Sequence, residues 1–307
     1  MQRRQFLSLT AMTAASFAAP RLGFGGDAPA APPADFDFIF LTDTHLQQEL
    51  NAAAGCAMCF KKVRSIPADF VIQGGDHTFD LLAVDRPRAT ALFDLYTQTE
   101  QRLSVKVHHT LGNHDLFGIF PKSGVSPSDP LYAKRMYEDR LGPTYYSFDH
   151  KGYHFIVLDS IQPTADRSWE AGIDAPQLDW LKKDLAGIAP QVPVILAVHV
   201  PLVTGALSYG PPQTGHNSQQ YVTNAYEVLP LFAGHNVIAV LQGHWHINEV
   251  VTFRGIPYVT CGAVSGNWWQ GTRWGTPEGF TVVSLRNGKI AWRYETYGFQ
   301  SVDPHNT

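Results

Sequence analysis

Cysteine is scarce, with three in 307 residues. An odd and low count argues against a disulfide framework. Charge is also sparse, at 16% of residues, and neither sign dominates: 23 Lys and Arg stand against 27 Asp and Glu, for a net charge of −4. No basic stripe appears, so no nucleic-acid polymer is expected as a partner. The one small cluster, Lys61, Lys62 and Arg64, reads as the solvated face of a helix. After the N-terminal stretch no segment is long and apolar enough to cross a bilayer, so no transmembrane segment is expected in the mature chain. What remains is an ordinary globular balance, 44% hydrophobic, with ample length for a sizeable core.

Histidine, by contrast, is plentiful, with 13 in the chain. Five short apolar or β-branched runs each stop at a block of donor residues. Asp43-Thr44-His45 closes Phe36 to Leu41, and Gly75-Asp76 follows Phe70 to Ile72. Gly112-Asn113-His114-Asp115 follows Val105 to Leu111; His199 closes Val192 to Val198; Gly243-His244-Trp245-His246 follows Val237 to Leu241. Runs of this length read as buried strands. Ligands of open α/β sheets bind outside the carboxyl ends of the strands, so the five blocks are expected to meet at one rim. Asp-x-His or Gly-Asp alone is common by chance, whereas all five blocks in this order, each after an expected strand, are specific.

The donors are carboxylate, imidazole and amide oxygen, without thiolate. Such a set suits divalent or trivalent ions such as Mn, Fe, Co or Zn. It is too large for one tetrahedral site and suits two ions sharing a carboxylate, the arrangement that clamps the attacking and leaving oxygens of phosphoester hydrolysis. Glycines before Asp76, Asn113 and His244 would let the backbone turn sharply at strand ends.

The series D-x-H, G-D, G-N-H-D, H, G-H-x-H resembles the calcineurin-like metallophosphoesterases, over Asp43 to His246. The resemblance implies an α/β (α+β) chain folded as a four-layer αββα sandwich, the metallo-dependent phosphatase fold. It implies that Asp43, His45 and His246 bind one metal, Asp76 bridges both, and Asn113, His199 and His244 bind the second. His114 would touch the scissile phosphate or protonate the leaving group, with Asp115 orienting it. The chemistry implied is attack on phosphorus by a metal-bridging hydroxide. Phe79 stands where the purple acid phosphatase branch carries a metal-binding Tyr, which counts against an iron(III)–tyrosinate site. The look is closest to the cyclic-nucleotide and glycerophosphodiester phosphodiesterases. The alternatives are a phosphomonoesterase that scavenges phosphate, or a non-catalytic module stabilised by its metals.

Arg3-Arg4-Gln5-Phe6-Leu7 and the mild apolar stretch through Ala19 form a twin-arginine pattern, so residues 1–30 are expected to be an export signal read by the Tat machinery, with the phosphoesterase domain over 31–300. The expected location is periplasmic or secreted, and the expected partner a small-molecule phosphoester.

Other features stay open at this level. Cys56-Ala-Met-Cys59 lies inside an expected helix, Ala52 to Ile66, as structural thiols, an oxidised pair or a metal site. His77 faces the metal pocket or supports it from behind. The loop Phe117 to Pro143 reads as a wall of the substrate pocket, with a short helix over Leu131 to Leu141. His216, in the Gly- and Pro-rich loop after His199, is a substrate contact or an ordinary surface histidine. Trp268 and Trp269 are either padding over the sandwich edge or an aromatic platform for substrate. Helices are expected over Arg86 to Arg102, Ala175 to Ile188 with Asp174 as N-cap, and Val222 to Ala233. Arg286-Asn287-Gly288 marks a hairpin turn, and the last residues are expected to fray.

Overall fold

In the computed structural model, residues 33–210 and 217–307 are described. The N-terminal signal expected over residues 1–30 and the candidate His216 lie outside them.

Two sheets face each other. The first is five-stranded, in the order β13-β12-β1-β2-β3, with β1 Phe36–Leu41, β2 Phe70–Gln73, β3 Lys106–His109, β12 Gly279–Arg286 and β13 Lys289–Thr296. The second is six-stranded, in the order β10-β11-β9-β8-β5-β4, with β4 Tyr146–His150, β5 Tyr153–Leu158, β8 Pro193–Val198, β9 Asn236–Gln242, β10 Glu249–Phe253 and β11 Ile256–Thr260. A small hairpin, β6 Ile161–Pro163 and β7 Trp169–Ala171, stands apart.

Side-chain alternation builds the layers. Along β1, Phe36, Phe38 and Phe40 enter the core between the sheets, beside Phe155 and Val157 of β5, Ile195 of β8 and Val283 of β12. Ile39 and Leu41 point the other way and meet Cys56, Cys59, Phe60 and Val63 of helix α1, Ala52–Arg64. On the far side of the second sheet, Leu178, Leu181 and Leu185 of α4, Ala175–Ala186, pack on Ile156, Leu158 and Leu196. Between these in the chain lie α2, Arg86–Glu100, and α3, Arg135–Leu141. Helix, sheet, sheet, helix is the expected αββα order.

Local chemistry sets the helix ends. Asp85 accepts the Arg88 amide at 3.0 Å and Asp174 accepts that of Gln177 at 2.9 Å, each with proline in the first turn. The helix expected over Val222 to Ala233 is only one turn, Ala225–Val228, followed by a 3₁₀ turn, Leu229–Phe232. Pro230 has no N–H to continue the ladder, so the helix cannot propagate. The stretch after Asp115 is not mainly a pocket wall. Leu116, Phe117, Ile119, Met136 and Tyr137 turn inward onto α2, and Arg167 donates to the carbonyls of Gly118, Ile119 and Val125.

The C-terminus does not fray. The amides of His305 and Thr307 donate to the carbonyls of Gln270 and Thr272, and Asn306 accepts from the Thr272 amide at 2.8 Å. No helix among the described residues is long and apolar enough to cross a membrane.

Candidate metal centre

Strand register brings the five donor blocks together. Leu41 pairs with Gln73 and Gln73 with His109, so β1, β2 and β3 end at one level and hand over to Asp43, Asp76 and Asn113. In the other sheet Val198 pairs with Gln242, so His199 and the Gly243-His244 turn leave their strands together. The His244 amide donates to Asp43 Oδ2 at 3.1 Å, tying the two rims to each other.

Two donor groups result. In one, His246 Nε2 lies 3.2 Å from Asp43 Oδ1, and His45 Nε2 lies 3.1 Å from His246 Nε2. In the other, Asn113 Oδ1 lies 3.2 Å from His199 Nε2 and 3.1 Å from His244 Nδ1. Asp76 Oδ2 stands between them, 3.4 Å from His45 Nε2 and 3.2 Å from His199 Nε2. Asp43, His45 and His246, and likewise Asp76, His199 and His244, each offer donor atoms within 4.8 Å of one another.

Three observations test whether this set fits metal ions. The first is tautomer. Nδ1 of His45, His199 and His246 faces the carbonyls of Phe79, Gly74 and Gly266, at 3.3, 2.8 and 2.6 Å. Each ring therefore keeps its proton on Nδ1 and turns the Nε2 lone pair inward, the state a metal requires. The second is backbone strain. Asp43, His45, Asp76, His244 and His246 all adopt left-handed φ, between +38° and +74°. Such conformations cost about 1–3 kcal/mol each in non-glycine residues and gather at functional sites. The third is electrostatics. Burial raises the carboxyl pKa values of Asp43 and Asp76, yet the facing histidines hold both well below the usual range. Burial lowers His199, but Asp76 and Asp43 outweigh it and lift it to about 9. Burial and His199 push His244 down to about 3. With no cation between them, the convergent carboxylates would draw a second proton onto Nε2 of His199, at the place an ion would take. The residues fit two ions.

Not every glycine at this rim serves a turn. Gly75 has φ +104°, as a sharp turn requires, but Gly112 sits at φ −105°, open to any residue. It is glycine because a Cβ there would lie 2.1 Å from the Asp76 amide nitrogen.

The profile of the calcineurin-like phosphoesterases matches residues 36–248. The chain belongs to this family. It is thereby a metallophosphoesterase-superfamily hydrolase, of a family whose members typically bind two metal ions. It is 28% identical over 228 residues to a "probable cyclic nucleotide phosphodiesterase" of Rhodococcus erythropolis, covering 71% of this chain and 67% of that one. A dimetal phosphatase from Danio rerio superposes with a TM-score of 0.58 at 16% identity, over 85% of this chain and 98% of its own. GAP50, described as the anchor in the inner membrane complex of Plasmodium, gives 0.54 at 17% identity, over 89% and 88%. These solved structures establish the fold alone.

Three expectations at the site are corrected. Asp115 does not orient His114. It is fully buried, and its oxygens accept from the amides of Asp76, His77 and Gly112 and face His77 Nδ1 at 2.8 Å. It positions the strand end that carries Asp76. The carboxylate nearest the His114 ring is Asp80, 4.0 Å from Nδ1, which sequence reasoning missed; its spacing four residues past Asp76 was the available signal. His77 is not a substrate contact, because it is buried between Asp115 and His109. Trp269 is not a platform either. It is fully buried, donates its indole N–H to the carbonyls of Thr44 and His45, and packs on Phe299. Trp268 does reach the centre, its ring 4.7 Å from that of His246 and 5.9 Å from that of His45. Cys56, Cys59 and Cys261 are buried free thiols, and burial raises the pKa of each.

Proposed function

We propose that this protein is an exported dinuclear-metal phosphodiesterase acting on a small phosphoester. The observation that carries the dinuclear reading is Asp76, whose single oxygen Oδ2 faces both donor groups. Asp43, His45 and His246 would hold one ion and Asn113, His199 and His244 the other, with Asp76 shared. Two such ions, whether Fe, Mn, Zn or Co, would supply charge neutralisation on the phosphoryl oxygens and a more acidic attacking water.

The chain's own residues do the rest. His114 keeps an open face, with its side chain 25% exposed and its ring 4.7 Å from that of His45. Its backbone amide donates to Asp76 Oδ1 at 2.8 Å, which fixes where the ring starts. Within reach of the cluster and free of a backbone carbonyl, it is placed to hand a proton to the leaving oxygen. Asp115 keeps the Asp76 and Gly112 backbones in register. Trp268 walls the centre with an apolar face, which favours a ring or an apolar substituent on the substrate.

Diester preference is supported by the Rhodococcus relative and by the Trp268 wall; export is supported by the Arg3-Arg4 pattern. The experiment is to load the mature protein separately with Mn, Fe, Co and Zn and compare bis-(p-nitrophenyl) phosphate with p-nitrophenyl phosphate, using Asp76→Ala as the blank. Metal-dependent diester preference is the expected result. A monoester preference makes the protein a phosphatase, and two bound metals without turnover of any phosphoester favour a binding module.

A further inference from the structure

Arg273 lies next to Trp268, the ring that lines the metal centre, and pairs with no acid among the described residues. Its guanidinium sits over the ring of Trp268, 5.4 Å from the centroid, and over that of Trp274 at 4.9 Å. Trp268 is the same ring that stands 4.7 Å from His246. Arg273 Nε is buried and has no hydrogen-bond partner among the described residues. Among the described residues no carboxylate lies within ion-pair distance of its guanidinium, although arginines elsewhere in the chain, such as Arg88, Arg140 and Arg286, are paired. Burial alone pulls its pKa below the usual guanidinium value.

Such an arrangement is costly unless something offsets it. A partly desolvated cation normally finds an anion in its own chain. The segment carrying Arg273 is also held in place. Arg273 and Thr276 exchange amide-to-carbonyl bonds at 2.9 and 2.8 Å, Thr272 is bonded to Asn306, and Trp268 and Trp274 both hold left-handed φ. A guanidinium held over two indoles still offers its terminal N–H donors, which suit the paired oxygens of a phosphate.

We propose that Arg273 is a specificity-determining residue that binds a second phosphate of the substrate, beyond the phosphorus attacked at the Asp76 cluster. This rests on the phosphoesterase reading of that cluster. The preferred substrate then carries two phosphates, one at the metals and one on the Trp268–Arg273–Trp274 stack.

The test uses the metal-loaded full chain and the variants Arg273→Gln and Arg273→Lys. Binding of thymidine 5′-monophosphate and thymidine 3′,5′-bisphosphate, probes that differ by one phosphate, is measured by calorimetry and by tryptophan emission. The wild type is expected to bind the bisphosphate about tenfold more tightly than the monophosphate. Arg273→Gln is expected to remove that advantage, and Arg273→Lys, which keeps the charge, to retain part of it. A merely structural Arg273 would weaken both nucleotides together and leave their ratio intact. Equal affinities in the wild type, or an advantage that survives in Arg273→Gln, overturn the proposal. If no phosphoester is hydrolysed, the activity reading fails separately, and the binding ratio still decides the role of Arg273.

Discussion

Asp76 is held by both sides of the centre, and its replacement separates assembly from chemistry. Asp76→Ala is expected to lower metal stoichiometry at both positions, read by elemental analysis of the purified protein; two ions still bound would remove it as the shared ligand. His114→Ala is expected to keep both ions and lose roughly 100- to 10,000-fold in kcat, the usual span for a proton donor. Unchanged turnover would take His114 out of the reaction. The tryptophan pair divides by burial. Trp269→Ala deletes a fully buried indole and its bonds to Thr44 and His45, and is expected to cost about 3–5 kcal/mol in urea unfolding. Trp268→Ala is expected to raise KM for aromatic substrates with little loss of stability. At this scale the donor types and their spacing were legible from the sequence, because residue type and order are local properties of the chain. The partner of Asp115 was not, because adjacency to His114 in the chain says nothing about the direction of either side chain.

Among elements, the β4–β5 hairpin is pinned to α4 by an ion pair that responds to pH. His154 Nε2 lies 2.9 Å from Asp184 Oδ2, and Nδ1 lies 2.7 Å from Asp149 Oδ1. Burial lowers the His154 pKa, but the two carboxylates outweigh it and raise it above its ordinary 6.5. Its contribution to stability is therefore complete below that value and lost as pH rises through the raised one. Asp184 is shifted the other way, burial opposing its partner His154, from an ordinary 3.8, so its share is lost as pH falls. The pair is strongest between those limits. His154→Gln is expected to lower Tm more at pH 5.5 than at pH 9; an equal loss at both would assign the effect to packing. Asp149 is 81% exposed at its side chain, and water screens most of its share. Most strands and the longer helices were legible from runs, periodicity and caps. The β6–β7 hairpin was not, because three-residue strands leave no period to read.

Taken whole, the two sheets present opposite halves of one centre. The first gives Asp43, His45, Asp76 and Asn113, and the second gives His199, His244 and His246. Ions bound there would cross-link the sandwich at its rim, because the assembled donor set exists only in the folded chain. Removing them with a chelator is expected to lower Tm, and adding back a fitting metal to restore it. A Tm indifferent to chelation would mean that the donors stand together without an ion.

What the sequence determined by itself was the donor set, its order and the strands that carry it, because local period and residue type encode these. It also placed Cys56 and Cys59 inside a helix. Tertiary structure alone decided which donors face which. Register between β1, β2 and β3, and between β8 and β9, brought Asp76 between His45 and His199, and long-range packing turned Trp269 inward while leaving Trp268 at the centre. It left Arg273 on two indoles with no acid beside it among the described residues, which no spacing in the chain reveals, since an ion pair or its lack is a relation between segments far apart in sequence.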